Sequence, residues 1–119
     1  MDQKRAGLIQ FKVNGEIYDA KGAFKYGFGR PKRTAIMGSD RVHGYKEEPR
    51  VAFIEGAITD RNGLDLAALF LQTGVTVTIE AANGKTFALR DGWYAGDDQV
   101  DTGEAEIAVR WEGASGEEI

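Results

Sequence analysis

Asn83-Gly84 constrains this chain more than any other feature, because it stands between Val75-Thr76-Val77-Thr78-Ile79-Glu80 and Lys85-Thr86-Phe87-Ala88-Leu89-Arg90. Asn-Gly accepts the two successive positive-φ positions of a type I′ turn, whose twist matches that of paired antiparallel strands. Val75, Val77 and Ile79 alternate with Thr76, Thr78 and Glu80, so the first strand has one apolar and one polar face. The same device recurs at Asn14-Gly15, after the alternating Ile9, Phe11 and Val13 and before Glu16-Ile17-Tyr18. Two hairpins are therefore expected, and a sheet to hold them.

The remaining elements follow from the same periodicities. Phe24, Tyr26 and Phe28 share one face of a strand whose glycines 22, 27 and 29 permit bending. Val51, Phe53 and Ile58 mark another, with Glu55-Gly56 as a possible bulge between them. The period then changes: Leu66, Leu69 and Phe70 within Asp65–Gln72 have helical spacing, and Gly74 is placed to cap that helix. Asp91-Gly92 reads as a turn. In the last strand Ala105, Ile107, Val109 and Trp111 form one face, with Glu104, Glu106, Ala108, Arg110 and Glu112 on the other. Residues 113–119 read as a flexible C-terminal tail. The sum is a mainly β fold, an antiparallel barrel or sandwich of seven or eight strands with one short helix. A chain of 119 residues suits a single domain over 1–119.

Composition excludes several classes. There is no cysteine and a single histidine, His43, so disulfide frameworks, thiolate chemistry and the usual zinc constellations are not expected. The opening residues lack the apolar core of a signal peptide, and no apolar run reaches membrane-spanning length, so a cytosolic site of synthesis and no membrane anchor are expected. A net charge of -4 argues against sequence-independent DNA binding, which needs a basic footprint.

The charge is unevenly spread. Arg30, Lys32, Arg33, Arg41, Lys46 and Arg50 stand against Asp40, Glu47 and Glu48 between positions 30 and 50; subtracted from totals of fifteen basic and nineteen acidic residues, they leave nine and sixteen elsewhere. A basic segment on an acidic body suits contact between unlike faces of neighbouring copies, although a solvated basic loop gives the same count. This stretch, about 29–49, reads as a long loop without clear periodicity, opened by Pro31. Its Ile36, Met37, Val42 and Tyr45 are too apolar for a free linker and call for burial against something outside the subunit's own core.

No residue is assigned a catalytic, cofactor-binding or metal-binding role. His43 beside Asp40, Glu47 and Glu48 lacks a nucleophile to serve, and a loop or interface contact suits it better. Asp97, Asp98, Asp101 and Glu104 do not follow the spacing of a calcium loop and read as solvated negative surface. Gly27-Phe28-Gly29 has no strand–turn–helix setting for phosphate, and the alternating placement of the aromatics favours a core over a stacking platform for single strands.

The run from Gly38 to Arg50, then Phe53-Ile54-Glu55-Gly56, Ala82 to Phe87, Trp93-Tyr94-Ala95, and Val109 to Gly113 with Ser115 to Glu118, resembles the tail tube proteins of Mu-like contractile bacteriophages. The blocks keep their order from about Gly15 onward. That resemblance implies a barrel shared with type VI secretion tube proteins and six-membered rings of identical subunits stacked into a hollow tube. It implies no enzymatic activity, assembly in the host cytoplasm into the virion, and work alongside sheath, tape-measure, baseplate and tail terminator proteins, with DNA passing unbound through the lumen. In the family a long loop reaches neighbouring rings, which implies that role for Arg30, Lys32, Arg33, Ile36, Met37, Asp40, Arg41, Val42, His43, Tyr45, Lys46, Glu47 and Glu48. Glu80, Asp97, Asp98 and Asp101 are candidates to face the lumen. A type VI tube protein and a monomeric β-barrel binding module are the alternatives.

Overall fold

The computed structural model describes residues 8–119, with side chains from Gln10 onward; Met1–Gly7 and the side chain of Ile9, where the first alternation was expected to begin, lie outside the described set. Nine strands and one helix follow in chain order: β1 Leu8–Val13, β2 Glu16–Tyr18, β3 Lys25–Gly27, β4 Lys32–Met37, β5 Val42–Glu48, β6 Ala52–Thr59, α1 Leu66–Phe70, β7 Thr73–Ala81, β8 Thr86–Tyr94 and β9 Glu106–Glu118. Seven strands form one antiparallel sheet in the order β2-β1-β7-β8-β9-β6-β3, and β4 pairs with β5 alone.

Both Asn-Gly hairpins form. Val13 pairs with Glu16 across Asn14-Gly15, and Glu80 pairs with Thr86 across the Asn83-Gly84 turn. Asn14 and Gly15 take φ of 51° and 84°, the positive values that such a turn requires. The sheet curls until its ends meet. The chain leaving β2 crosses to β6, where the Lys21 amide donates to the Ala57 carbonyl (2.9 Å) and the Thr59 amide to Asp19 (2.8 Å). One continuous segment thus pairs first with β1 and then with β6, which closes the barrel.

The alternation measured from the turns predicts which side chains the barrel encloses. Phe11, Val77, Phe87, Leu89, Ile107 and Trp111 are fully or almost fully buried. Trp111 sits among Phe11 (5.4 Å between centroids) and Tyr94 (5.2 Å, edge to face), and its Nε1 donates to Gln72 Oε1 at 2.9 Å. Tyr26 stacks on Phe87 at 4.3 Å and Phe28 meets the same ring edge-on, so the Phe24-Tyr26-Phe28 face packs inward as its periodicity predicts. Helix α1 is too short to persist in water and exists because Leu69 is buried against the barrel. Asp65 caps it, its carboxylate accepting from the Ala68 amide at 3.1 Å.

Five local expectations are corrected. Val51 and Phe53 differ in parity from Ile58, which suggested a bulge at Glu55-Gly56, yet β6 pairs with β9 in unbroken register from Ala52 to Thr59. The inward set is Ala52, Ile54, Gly56 and Ile58, and Gly56 is small because the Phe24 ring lies over it, 2.6 Å from where a Cβ would be. Gly74 does not cap α1; it lies in β7 at φ 64°, where the register against β8 shifts, and Leu71 ends the helix instead. Asp91-Gly92 makes no turn. Asp91 alone takes φ 51°, and β8 continues through it in even register with β9. Ala105 belongs to the turn before β9 rather than to its buried face, at φ 52°. Finally, residues 113–118 extend β9, with Gly116 beneath the Phe87 ring and Glu117 bound to Arg90 at 2.7 Å. Small residues there admit an aromatic ring, and their composition imitates that of a linker.

Tyr94 ends β8 with its hydroxyl donating toward the carbonyls of Asp97 (3.0 Å) and Ala108 (3.2 Å). Burial, assisted by the charges of Asp97 and Asp98, pushes its phenol up to about 12 from 10.0. An unfolded chain loses that proton near 10 while the folded chain keeps it, so stability present below pH 10 drains away as pH rises toward 12. Tyr94→Phe, less stable at neutral pH for want of these hydrogen bonds, should therefore close part of its gap to the parent over that window. Urea midpoints measured from pH 8 upward check this; a gap of constant size would contradict it.

Candidate assembly interface

The segment expected as an irregular loop at 29–49 is a β-hairpin. Lys32 pairs with Glu48, Arg33 with Glu47, Thr34 with Lys46 and Ala35 with Tyr45, before the register shifts at the tip and Met37 meets Val42. The Gly38 amide donates to the Arg41 carbonyl at 2.7 Å to close the turn, which carries Ser39 and Asp40, and the His43 ring lies against Gly38. Periodicity is hard to read in the sequence because neither face enters the subunit's core and because Gly44 and the register shift interrupt the alternation.

The paired register separates two chemistries. Residues opposite each other in an antiparallel pair share a face, so Arg33, Ala35 and Met37 lie with Glu47, Tyr45 and Val42. Lys32 and Thr34 lie with Glu48 and Lys46, on the face to which Ile36 also belongs by alternation. On the first face the Arg33 guanidinium binds Glu47 at 3.1 Å and covers the Tyr45 ring at 5.2 Å. Beyond this ion pair the face is apolar and bare: Met37 is 67% exposed, and Val42 and Tyr45 are each 56% exposed. Every residue of β5 is exposed, and neither strand joins the barrel sheet. The molecule is accordingly drawn out to 61 × 39 × 28 Å, with a radius of gyration of 17.4 Å against roughly 13–14 Å for a compact chain of this length.

At the hairpin root Arg30 and Arg50 line a cleft of about 200 Å³ together with Phe28, Val51, Phe53 and the glycines 27 and 29. The Arg30 guanidinium stands 5.7 Å over the Phe28 ring. Of the six cations between 30 and 50, Arg33 alone forms an ion pair among the described residues. Arg50, counted above only as one of the segment's cations, and the cleft escape a reading of single residues. The hairpin register finds them, since two steps outward from the Lys32–Glu48 pair are positions 30 and 50.

The acidic candidates are not brought together. β6 begins at the hairpin root with Ala52 opposite Gly113, and β9 runs on from there toward Glu118 beside Phe87; Glu80, paired with Thr86, therefore lies toward the hairpin end. Asp97, Asp98 and Asp101 follow β8 in the connection to β9, toward the far end, where Asp101 bridges Glu106. The Asp101 carboxylate accepts from the amides of Gly103 and Glu104, which makes it a turn residue. Asp97 and Asp98 are exposed.

One further cluster was missed. On the outer face of β6 and β9 the Arg110 guanidinium binds both Glu55 and Glu112 and lies 4.4 Å over the Phe53 ring. Partial burial disfavours its charge, but the hydrogen bonds to Glu112 and Glu55 outweigh that cost and its pKa is raised. The cross-strand Glu55–Arg110 pairing that creates the cluster depends on the continuous β6 register, which the parity of Phe53 and Ile58 concealed. Beside it runs an open groove of about 440 Å³ bounded by Lys25, Glu55, Gly96, Asp97 and Arg110. Among the described residues no three His, Asp or Glu side chains gather as a metal cluster.

A closed barrel with an unpacked basic hairpin is the arrangement of a part made to be built into something larger. The chain is 27% identical over 106 residues to the tail tube protein of Escherichia phage Mu, a match covering 89% of each chain. The profile of the phage tail tube proteins matches residues 2–118, nearly the whole sequence. This chain therefore belongs to the phage tail tube protein family, as a structural component of the virion and not an enzyme.

Proposed function

We propose that this subunit forms six-membered rings that stack into the hollow inner tube of a contractile tail, which a shortening sheath drives through the host envelope so that DNA passes down its bore. Tape-measure, baseplate and terminator proteins would meet the same tube along its bore and at its ends. The observation that carries the reading is the hairpin β4–β5, whose Met37, Val42 and Tyr45 side chains are more than half exposed in the isolated subunit. Apolar side chains gathered on one strand face, on an arm outside the barrel, gain stability only by burial against another molecule. Within a ring and between rings, copies of the same chain supply that burial.

The bore must let a polyanion slide. Each lysine or arginine that contacts phosphate displaces a counterion and resists movement, so a cationic lining would act as a brake. The acidic surplus outside the hairpin suits the bore, and Glu80, on the outward face of β7 beside Thr78 and Thr76, is the wall residue proposed to face it. Negative-stain electron microscopy of the purified protein across a concentration series tests the assembly. Hollow rods of even width with six-fold end views are expected, and single barrels persisting at the highest concentrations would overturn the reading.

A further inference from the structure

We infer that successive rings join through an acid-in-cleft junction, in which the Asp97-Asp98 loop of one copy seats in the Arg30–Arg50 cleft of a copy in the next ring. The inference rests on the tube assembly above and adds the residues that lock one ring to another. Arg30 and Arg50 flank one cavity, both exposed, and neither has an acidic partner among the described residues. Two guanidiniums beside a single cleft repel each other in an isolated subunit and attract an anion from outside it. Gly27 and Gly29 let the chain pass close to its neighbours beside the cleft: a Cβ on Gly27 would stand 2.5 Å from the Phe53 ring and one on Gly29 2.8 Å from the Ala52 amide, and Gly29 holds φ 78°.

The complementary part lies at the other end of the same wall. Asp97 and Asp98 are adjacent, exposed, and without a cationic partner within ion-pair distance among the described residues. The start of their loop is tied to the wall: the Tyr94 hydroxyl donates to the Asp97 carbonyl at 3.0 Å, and the Ala95 amide donates to the Arg110 carbonyl at 2.7 Å. A loop tied to the wall at its start loses less conformational freedom on docking than a free one. Tyr94 also donates to Ala108, which faces Ala57, five residues along β6 from Ala52; that places the loop about 17 Å up the wall from the cleft. Within one subunit the two cannot meet. Between copies stacked in the same orientation the far end of one wall faces the hairpin end of the next, and a contact of this unlike kind repeats indefinitely.

Charge reversal tests the junction. Arg30→Glu with Arg50→Glu, and separately Asp97→Lys with Asp98→Lys, should each lower the sedimentable tube fraction by about tenfold or more at fixed subunit concentration. The chain carrying all four substitutions should recover most of it. Circular dichroism confirms that each variant is folded, and the milder Asp97→Asn with Asp98→Asn should lower the yield less than reversal does. Parental yields from both double variants, or failure of the fourfold variant to recover, would overturn the junction while leaving the tube assembly standing. Absence of tubes from the parent chain would instead overturn the assembly reading itself.

Discussion

A chain in which Lys32–Glu48 is replaced by a short glycine-serine linker should fold to a barrel that melts within a few degrees of the parent and should assemble no tubes. Among the described residues the hairpin strands pair only with each other, and β5 contributes no buried residue to the core. The ends to be rejoined are already close, since Gly29 packs against the backbone of Ala52. Shortening a surface connection changes loop-closure entropy only slightly. What the deletion removes is the bare Met37, Val42 and Tyr45 face, which the proposed assembly buries between copies; of charge it takes four basic and three acidic residues and leaves Arg30 and Arg50 in place. Circular dichroism with a thermal scan reads the fold, and electron microscopy reads assembly. An unfolded product, or tubes of normal width, would each contradict the division of labour between barrel and hairpin.

Trp111→Ala should have the opposite signature, lowering stability by about 3–5 kcal/mol. That is a large share of the total for a small domain. Trp111 has no exposed surface, contacts the rings of Phe11 and Tyr94, and satisfies Gln72 through its indole nitrogen. Its removal leaves both a void and an amide oxygen without its donor. Trp93→Ala is the control. That side chain is 39% exposed and should cost roughly 1 kcal/mol or less. Urea midpoints for the two variants check the contrast, and similar midpoints would contradict the placement of Trp111 at the centre of the core.

How far the sequence could be read depended on whether a pattern was answered inside the subunit. Val75, Val77 and Ile79 alternate against Thr76, Thr78 and Glu80 because one face of β7 meets the core and the other does not. β6 was harder, because its inner face uses Gly56 under Phe24 where an aliphatic residue would have kept the alternation visible, while Phe53 on the outer face serves Arg110. The last strand hid for a related reason: Gly113, Ser115 and Gly116 look like a tail until Phe87 and Leu89 are seen to need the room. The hairpin and its root were legible as a composition, basic and oddly apolar between positions 30 and 50. The hairpin's strand pairing was not, because neither of its faces enters the subunit's core, so no core periodicity marks it. The same holds for Glu80, Asp97, Asp98 and Asp101, which composition groups together and the barrel separates.

The hairpin's isolation from the barrel also bears on when the proposed tube begins to grow. Two strands with no third to support them are marginal in water, so the arm gains most of its order only once it is gripped. The first subunits to meet must immobilise their arms against surfaces that are themselves incomplete, whereas later arrivals find a finished platform. In the proposed tube an arm set on an existing end is thereby gripped more fully than one in a first pair, so rods should lengthen faster than new ones start.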